Sequence, residues 1–281
     1  MSDPTAPSPV QARRADFWRR ADGSVEAITR DLADETAIGL SYDSRPYVVV
    51  MGTGADVEDL AVGFTVTERI AAYADIARVT VSAAKQGLLA DLLLIPAAGH
   101  TLNLARRRTL EARSSCGLCG VESLEQAVRP IAMVGEGPQV TREAIQVALA
   151  GLEAGQLLGR RTRATHAAAW ADQSGAVILV REDVGRHNAL DKLIGAALRA
   201  GLDPSNAFIV VTSRLSYEMV DKTAAAGIAI LAAVSAPTAL AIRQARAAGM
   251  TLIALARDDG HAVFTGPERI VDRIVGRIAA P

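Results

Sequence analysis

Three consecutive stretches decide the fold of this chain. Phe208-Ile209-Val210-Val211-Thr212-Ser213 comes first, then a helix-patterned run from Ser216 to Ala226 closed by Gly227. Ile228-Ala229-Ile230-Leu231-Ala232-Ala233-Val234 follows. Apolar runs this continuous are the mark of strands buried on both faces of a sheet. The same unit extends in both directions. Ala176 to Glu182 predicts a strand, and Arg186 to Ala200 a helix ended by Gly201. Thr238 to Ala248 predicts a helix ended by Gly249, and Met250 to Ala256 a last strand. Each helix stops at a glycine, which suits the left-handed residue just past a helix C-terminus. Alternating strands and helices of this length predict crossover connections and a parallel sheet, hence an α/β class.

Upstream the pattern changes. Residues 1–23 carry Pro4, Pro7 and Pro9 among Ser and Thr, and predict a disordered lead-in. Residues 24–96 read as a smaller β-rich part. Ala37-Ile38-Gly39-Leu40 and Tyr47-Val48-Val49-Val50-Met51 are separated by the turn signal Asp43-Ser44-Arg45-Pro46, and Val79 to Val81 and Leu88 to Ile95 add strands. A helix is expected over Val57 to Ile70, with Asp56 as its N-cap. Residues 97–125 lose all periodicity and predict a linker. Residues 126–281 form the α/β part, which opens on a helix capped by Thr141 with Ile145, Ala148, Leu149 and Leu152 at helical spacing.

Composition excludes several classes. Net charge is −1 over 281 residues, so no global basic field argues for nucleic acid. Only Lys85, Lys192 and Lys222 among the 30 basic residues are not arginine, a bias that genome composition can produce. No apolar run reaches membrane-spanning length. Arg13-Arg14 precedes Phe17, but charged residues follow where a signal peptide needs hydrocarbon. Two cysteines cannot make the disulfide framework of a small secreted domain. The expectation is a cytoplasmic protein with reduced thiols.

If the strands are parallel, their C-terminal ends share one edge, where open α/β sheets bind ligands. Arg181, Glu182, Asp183, Gly185, Arg186, His187 and Asn188 follow the first strand, and Ser213 and Arg214 the second. Ser235 and Pro237 follow the third, and Arg257, Asp258, Asp259 and Gly260 the last. Helix N-termini point to the same edge with free N–H groups, and Arg186, Arg214 and Arg257 add guanidinium donors. An anionic, nucleotide-like ligand fits this set. Taken singly, each arginine reads as an ordinary solvated loop residue. His187 fits a structural role at a helix start as well as it fits a ligand, and His166 reads as structural or as a pocket wall.

The two cysteines, Cys116 and Cys119, lie together in Ser114-Ser115-Cys116-Gly117-Leu118-Cys119-Gly120. Flanking glycines let the backbone bend. Four readings stay open on spacing alone. A structural zinc site needs four ligands, and His100, His166, His187 and His261 lack metal-ligand spacing to one another. A thioredoxin-like pair usually follows a strand and opens a helix, whereas here glycines surround the pair and no strong apolar run leads directly into it. A sulfur-transfer thiol needs an exposed nucleophile on a bendable backbone, and Arg113 with Arg106 to Arg108 would favour its thiolate. Two unremarkable cysteines are the fourth.

The cysteine stretch resembles the loop of the FdhD family of formate dehydrogenase accessory sulfur carriers. Glu58-Asp59-Leu60-Ala61-Val62-Gly63-Phe64 with Thr67-Glu68, Thr165-His166-Ala167-Ala168, Glu182 to Lys192, Ser216 to Val220 and Ala233 to Thr238 resemble further family motifs in order. The resemblance implies a cytidine-deaminase-like α/β/α core. The His-x-Glu and Pro-Cys-x-x-Cys of zinc deaminases are absent from this sequence, so no metal is expected. It implies a sulfurtransferase that accepts persulfide sulfur from a cysteine desulfurase. The sulfur passes to a molybdenum (or tungsten) bis(molybdopterin guanine dinucleotide) cofactor bound for formate dehydrogenase. Cys116 matches the persulfide position and Cys119 the second cysteine. Leu255, Ala256, Arg257, Asp258, Asp259 and Gly260 match the cofactor-binding stretch, which Arg186, His187 and Arg214 would complete. A homodimer is also implied. The chain departs from the family pattern at Arg163-Ala164, at Ser213 to Leu215, at Leu255 and Gly260, and at Arg69, where a glycine is usual.

Overall fold

The computed structural model describes residues 8–95 and 130–273. The predicted linker and both cysteines lie outside the described residues. The first strands are β1 (Val10–Trp18), β2 (Val25–Ala33), β3 (Thr36–Tyr42) and β4 (Arg45–Gly52), followed by helix α1 (Val57–Thr67) and strands β5 (Ile76–Ala84) and β6 (Gly87–Leu94). After residue 130 come β7 (Val140–Thr141), α2 (Arg142–Gly155), α3 (Leu157–Thr162), β8 (His166–Asp172), β9 (Val177–Asp183), α4 (Arg186–Arg199) and β10 (Ala207–Val211). Then follow α5 (Tyr217–Ala225), β11 (Ile230–Ala233), α6 (Ala239–Ala247), β12 (Thr251–Arg257), β13 (Gly260–Thr265) and β14 (Ile270–Val271).

The expected lead-in is a strand from Val10 onward. β1 pairs antiparallel with β2, from Val10 opposite Ala33 to Trp18 opposite Val25. All three prolines of this region precede the strand, while Val10, Phe17 and Trp18 favour extended backbone. The next four strands form a sheet in the order β4-β3-β6-β5. Asp43 and Ser44 both take positive φ, 50° and 62°, as a tight two-residue hairpin between β3 and β4 requires. Ile38, Leu40, Tyr42, Leu88, Ala90 and Leu92 bury one face of this sheet with Leu60, Ala61 and Phe64 of α1. Asp56 does not cap that helix. It sits in the left-handed region at φ 55° with no side-chain cap bond, and its carboxylate faces Arg181 at 3.7 Å.

The second sheet has the order β13-β12-β11-β10-β8-β9. β10, β11 and β12 are parallel neighbours, as predicted. The sheet as a whole is mixed, because β8 runs antiparallel to β10, β9 antiparallel to β8, and β13 antiparallel to β12. A hairpin with Gly175 at φ 88° joins β8 to β9, and a Cβ on Gly175 would lie 2.1 Å from the Ala144 carbonyl oxygen. Helices α4, α5 and α6 cover one face through Leu190, Leu193, Met219, Val220, Ala241 and Ala245. Helix α2 covers the other through Ile145, Ala148 and Leu152 against Phe208, Val210 and Ile230. The result is three layers, helix on sheet on helix. Gly201, Gly227 and Gly249 take φ 66°, 75° and 70° just past α4, α5 and α6, and Thr141 caps α2 by accepting from the Ala144 amide at 3.1 Å.

Reversing β8 preserves the shared edge. β9 runs in the direction of β10, so β9, β10, β11 and β12 all end on one side, and β8 begins there. No helix among the described residues is long and apolar enough to cross a membrane.

Candidate functional site at the strand ends

The end of β9 divides its residues between internal and outward work. Asp183 is wholly buried and accepts five hydrogen bonds on its two oxygens. Oδ2 accepts from Lys192 Nζ at 2.6 Å, from Thr53 Oγ1 at 3.0 Å and from the Thr53 amide at 2.9 Å. Oδ1 accepts from the Gly185 amide at 2.8 Å and from Asn188 Nδ2 at 3.1 Å. Glu182 accepts from the amides of Leu158 and Gly159, each at 2.7 Å, and so anchors the start of α3. Arg181 turns away to Asp59 at 2.8 Å. Arg181, Glu182 and Asp183, placed by sequence reasoning among the ligand-facing residues, are therefore spent on holding the fold.

Arg186 and His187, in the first turn of α4, are different. Among the described residues, the buried side-chain polar atoms with no hydrogen-bond partner are Arg186 Nε, His187 Nε2 and Ser216 Oγ. All three lie on this one edge. Ser216 is the N-cap position of α5, yet its hydroxyl makes no capping bond. His187 Nε2 stands 3.0 Å from Glu218 Oε2, close enough for an ion pair but off the line of a hydrogen bond. Buried polar groups are rarely left unsatisfied, so Arg186 Nε and Ser216 Oγ on one surface, beside His187, call for an occupant. Two nitrogens of basic side chains and a hydroxyl form a donor-rich set, suited to the oxygens of a phosphate or similar anion.

His166 enters the same group because β8 begins where its neighbours end. Burial lowers its pKa, and the nearby positive charges of Arg186, His187 and Arg214 lower it further. The imidazole is thus neutral at pH 7, held among three basic side chains. Arg214 is exposed beyond β10, where the loop 212–216 is tied to the next one by Leu215 and Pro237. The Leu215 amide donates to the Ala236 carbonyl at 3.2 Å, and the Thr238 amide to the Leu215 carbonyl at 2.9 Å.

The stretch from Leu255 to Gly260 lies farther along the same edge. The sequence predicts a strand through Ala256, with 257–260 following it. β12 runs one residue farther, through Arg257, the chain turns at Asp258 and Asp259, and β13 begins at Gly260. Leu255 sits in a bulge at φ 55°, 44% exposed, and its amide donates to the Ser235 carbonyl at 3.2 Å. Arg257, Asp258 and Asp259 are exposed. β12 is two strands from β10, about 10 Å at the usual strand spacing. The structure thus brings together Arg186, His187, Arg214 and His166, and sets residues 255–260 beside them rather than among them. Ser216 and Glu218 were given no site role from sequence. Their signal was a serine opening a helix after a buried strand, with a carboxylate two residues on.

The comparisons with known proteins agree with one another. The model of the FdhD/NarQ family matches residues 33–271. The chain is 46% identical over 254 residues, 90% of each chain, to the sulfur carrier protein FdhD of Xanthomonas euvesicatoria pv. vesicatoria. It is 42% identical over 268 residues to that of Bordetella petrii, covering 94% of this chain and 96% of the relative. Among solved structures it resembles a candidate formate dehydrogenase accessory protein from Desulfotalea psychrophila. The TM-score is 0.75 at 22% identity, over 94% of this chain and all of that one, which supports the fold alone.

Proposed function

The chain belongs to the FdhD/NarQ family, and from that premise we propose how it works as a sulfur carrier serving formate dehydrogenase. Cys116 is the acceptor. Its thiolate attacks the outer sulfur of a cysteine desulfurase persulfide. The donor S–S bond breaks, a new one forms on Cys116, and the donor leaves as a thiolate. Cys119 is the second thiol of the pair. The sulfur is destined for a molybdenum bis(molybdopterin guanine dinucleotide) cofactor, which is cargo here rather than a resident group.

The observation that carries the binding half of this reading is the pair of buried atoms without a hydrogen-bond partner, Arg186 Nε and Ser216 Oγ, beside the His187–Glu218 pair. In our reading Arg186 and Arg214 hold a phosphate of the dinucleotide, with Ser216 as a further donor and Glu218 orienting His187. His166, being neutral, can donate without adding charge. Leu255, Ala256, Arg257, Asp258, Asp259 and Gly260 would take a more distant part of the same cofactor. We also propose the finer fold likeness, a cytidine-deaminase-like core. Its support is the three-layer order around a mixed sheet whose first strand, β8, is reversed against both neighbours. The division into parts at 24–96 and 126–281 is supported by the sheets among the described residues, none of which pairs a strand of one part with a strand of the other. A cytoplasmic homodimer with a desulfurase and formate dehydrogenase as partners completes the reading.

Incubation with a cysteine desulfurase and cysteine, followed by intact mass measurement, tests the acceptor. One added sulfur is expected on the wild type and none on Cys116→Ala. Titration with GDP, a fragment of the cofactor, tests the site. Arg186→Ala and Arg214→Ala are expected to weaken binding by about tenfold each, the size of one charge-assisted contact. Undiminished binding in both would remove the phosphate assignment.

A further inference from the structure

Among the described residues β1 pairs with β2 alone, and its other edge is open. β2 is tied to α3, where Arg161 Nη2 donates to Asp31 Oδ2 at 2.9 Å. Every residue of β1 from Ala12 to Trp18 is exposed, Phe17 at 48% and Trp18 at 60%. Val25, opposite Trp18 on β2, is exposed as well. A ribbon of two strands buries too little to be stable alone in water, and three or more strands are the usual minimum. An open edge also presents a row of N–H and C=O groups on which another chain can pair. The hydrogen-bond phase shows which residues present them. The Arg19 amide donates to the Ser24 carbonyl at 2.8 Å, and the Asp34 amide to the Pro9 carbonyl at 3.0 Å. Odd-numbered residues of β1 therefore turn their backbone toward β2. The even-numbered Ala12, Arg14, Asp16 and Trp18 turn theirs outward.

We propose that this edge joins two copies of the chain, β1 pairing antiparallel with β1 of the second copy about a two-fold axis at Ala15. The inference rests on the homodimer proposed above and gives it a surface. With the axis at Ala15, Arg14 lies opposite the partner's Asp16, and Asp16 opposite the partner's Arg14. Both residues have outward-facing backbone, so opposite charges and ladder hydrogen bonds coincide twice. The indole of Trp18 meets the small Ala12 across the axis. The guanidinium of Arg13, which faces the like charge of Arg30 within the ribbon, meets the ring of Phe17. Charge also selects this register. An axis at Arg13, Arg14 or Asp16 would set that charge against its own copy. The joined ribbons form one sheet in the order β2-β1-β1-β2, which passes the minimum that each ribbon alone fails.

Light scattering of the full chain over a concentration series tests the interface. A dimer is expected for the wild type. Arg14→Asp and Asp16→Arg each create two like-charge pairs across the axis and should raise the dissociation constant about tenfold. The double variant Arg14→Asp/Asp16→Arg exchanges the signs, restores both opposite-charge pairs and should recover most of the affinity. Simple damage to the ribbon would not be repaired by the second substitution. Ala15→Cys, in a Cys116→Ala/Cys119→Ala background, should close a disulfide between copies under mild oxidation. Facing residues of a non-hydrogen-bonded pair have Cα atoms about 4.5 Å apart, within disulfide reach. Thr29→Cys, exposed on β2 and away from the axis, should stay uncross-linked. A wild-type dimer that ignores both charge reversals and does not cross-link through Ala15→Cys keeps the homodimer and overturns this interface. A wild-type monomer overturns the homodimer and the interface together. A monomer whose binding to a desulfurase or to formate dehydrogenase is lost on charge reversal assigns the edge to that enzyme instead.

Discussion

His166 is the residue whose charge state reports most directly on the edge of the sheet. Its folded pKa lies below the 6.5 usual for histidine, first through burial and then through Arg186, His187 and Arg214. The unfolded chain therefore binds the proton more readily than the folded one. The stability contributed by this group is present above pH 6.5 and is lost as pH falls through the folded pKa. An anion bound among the same basic groups would offset their charge and raise the pKa of His166. NMR titration of its imidazole should give a midpoint below 6.5 in the free protein and a higher one with GDP. Binding of GDP should correspondingly take up a fraction of a proton near pH 6. A midpoint that ignores GDP would place the anion elsewhere.

At the scale of elements, the tightest contact is the crossing of α1 and α4. A Cβ on Gly63 would lie 1.8 Å from the Asp191 carbonyl oxygen, and one on Gly195 would lie 1.9 Å from that of Asp59. Both obstacles are backbone, so neither can swing aside. Gly63→Ala and Gly195→Ala should each cost about 3 kcal/mol or more in urea unfolding, the upper range for overpacking. A loss well under 1 kcal/mol would mean that the helices separate freely. Much of the surrounding fold was legible. β9 to β12 and α4 to α6 announced themselves through long apolar runs and glycine stops, and Arg186, His187 and Arg214 followed from what comes after those strands. β8 was illegible as a strand because Ala167-Ala168-Ala169-Trp170-Ala171 holds no β-branched residue, and alanine favours no sheet. The order at Val10–Trp18 was hidden by the prolines before it. Asp56 misled because its side chain was a good cap in a backbone conformation that does not cap. Ser216 and Glu218 gained meaning only when α4 and α5 were seen to open on the same edge.

At the scale of the whole molecule, two buried networks stitch the early sheet and α1 to the later α/β layers. Thr53, at the end of β4, reaches Asp183 across 130 positions of sequence, and Lys192 Nζ bonds both Asp183 and the Thr53 carbonyl and hydroxyl. Thr67 and Glu68, at the end of α1, meet Asp191 and Lys222. Burial alone would lower the pKa of Lys222, but Asp191 and Glu68 outweigh it and hold the ammonium above its usual range. The partners that Thr53, Thr67 and Glu68 find could not be read from local sequence, since they come from the other half of the chain. Lys192→Met would leave the Asp183 carboxylate buried and charged, at a cost of about 3–5 kcal/mol. In a Trp18→Phe background, Trp170 reports on the later sheet while Tyr42 and Tyr47 report on the earlier one. Both signals should shift together to lower urea in Lys192→Met. Separate transitions would show that the halves unfold independently.

Thr53 gives this arrangement a practical meaning. Its amide, carbonyl and hydroxyl are the plug that closes the socket around Asp183 and Lys192, and they are donated by a strand that ends long before the socket begins. An excised fragment starting near residue 130 would therefore expose an unquenched charge pair and the bare flank of α4. The two portions of this polypeptide cannot be traded as cassettes between chimeras unless both sides of that joint travel together.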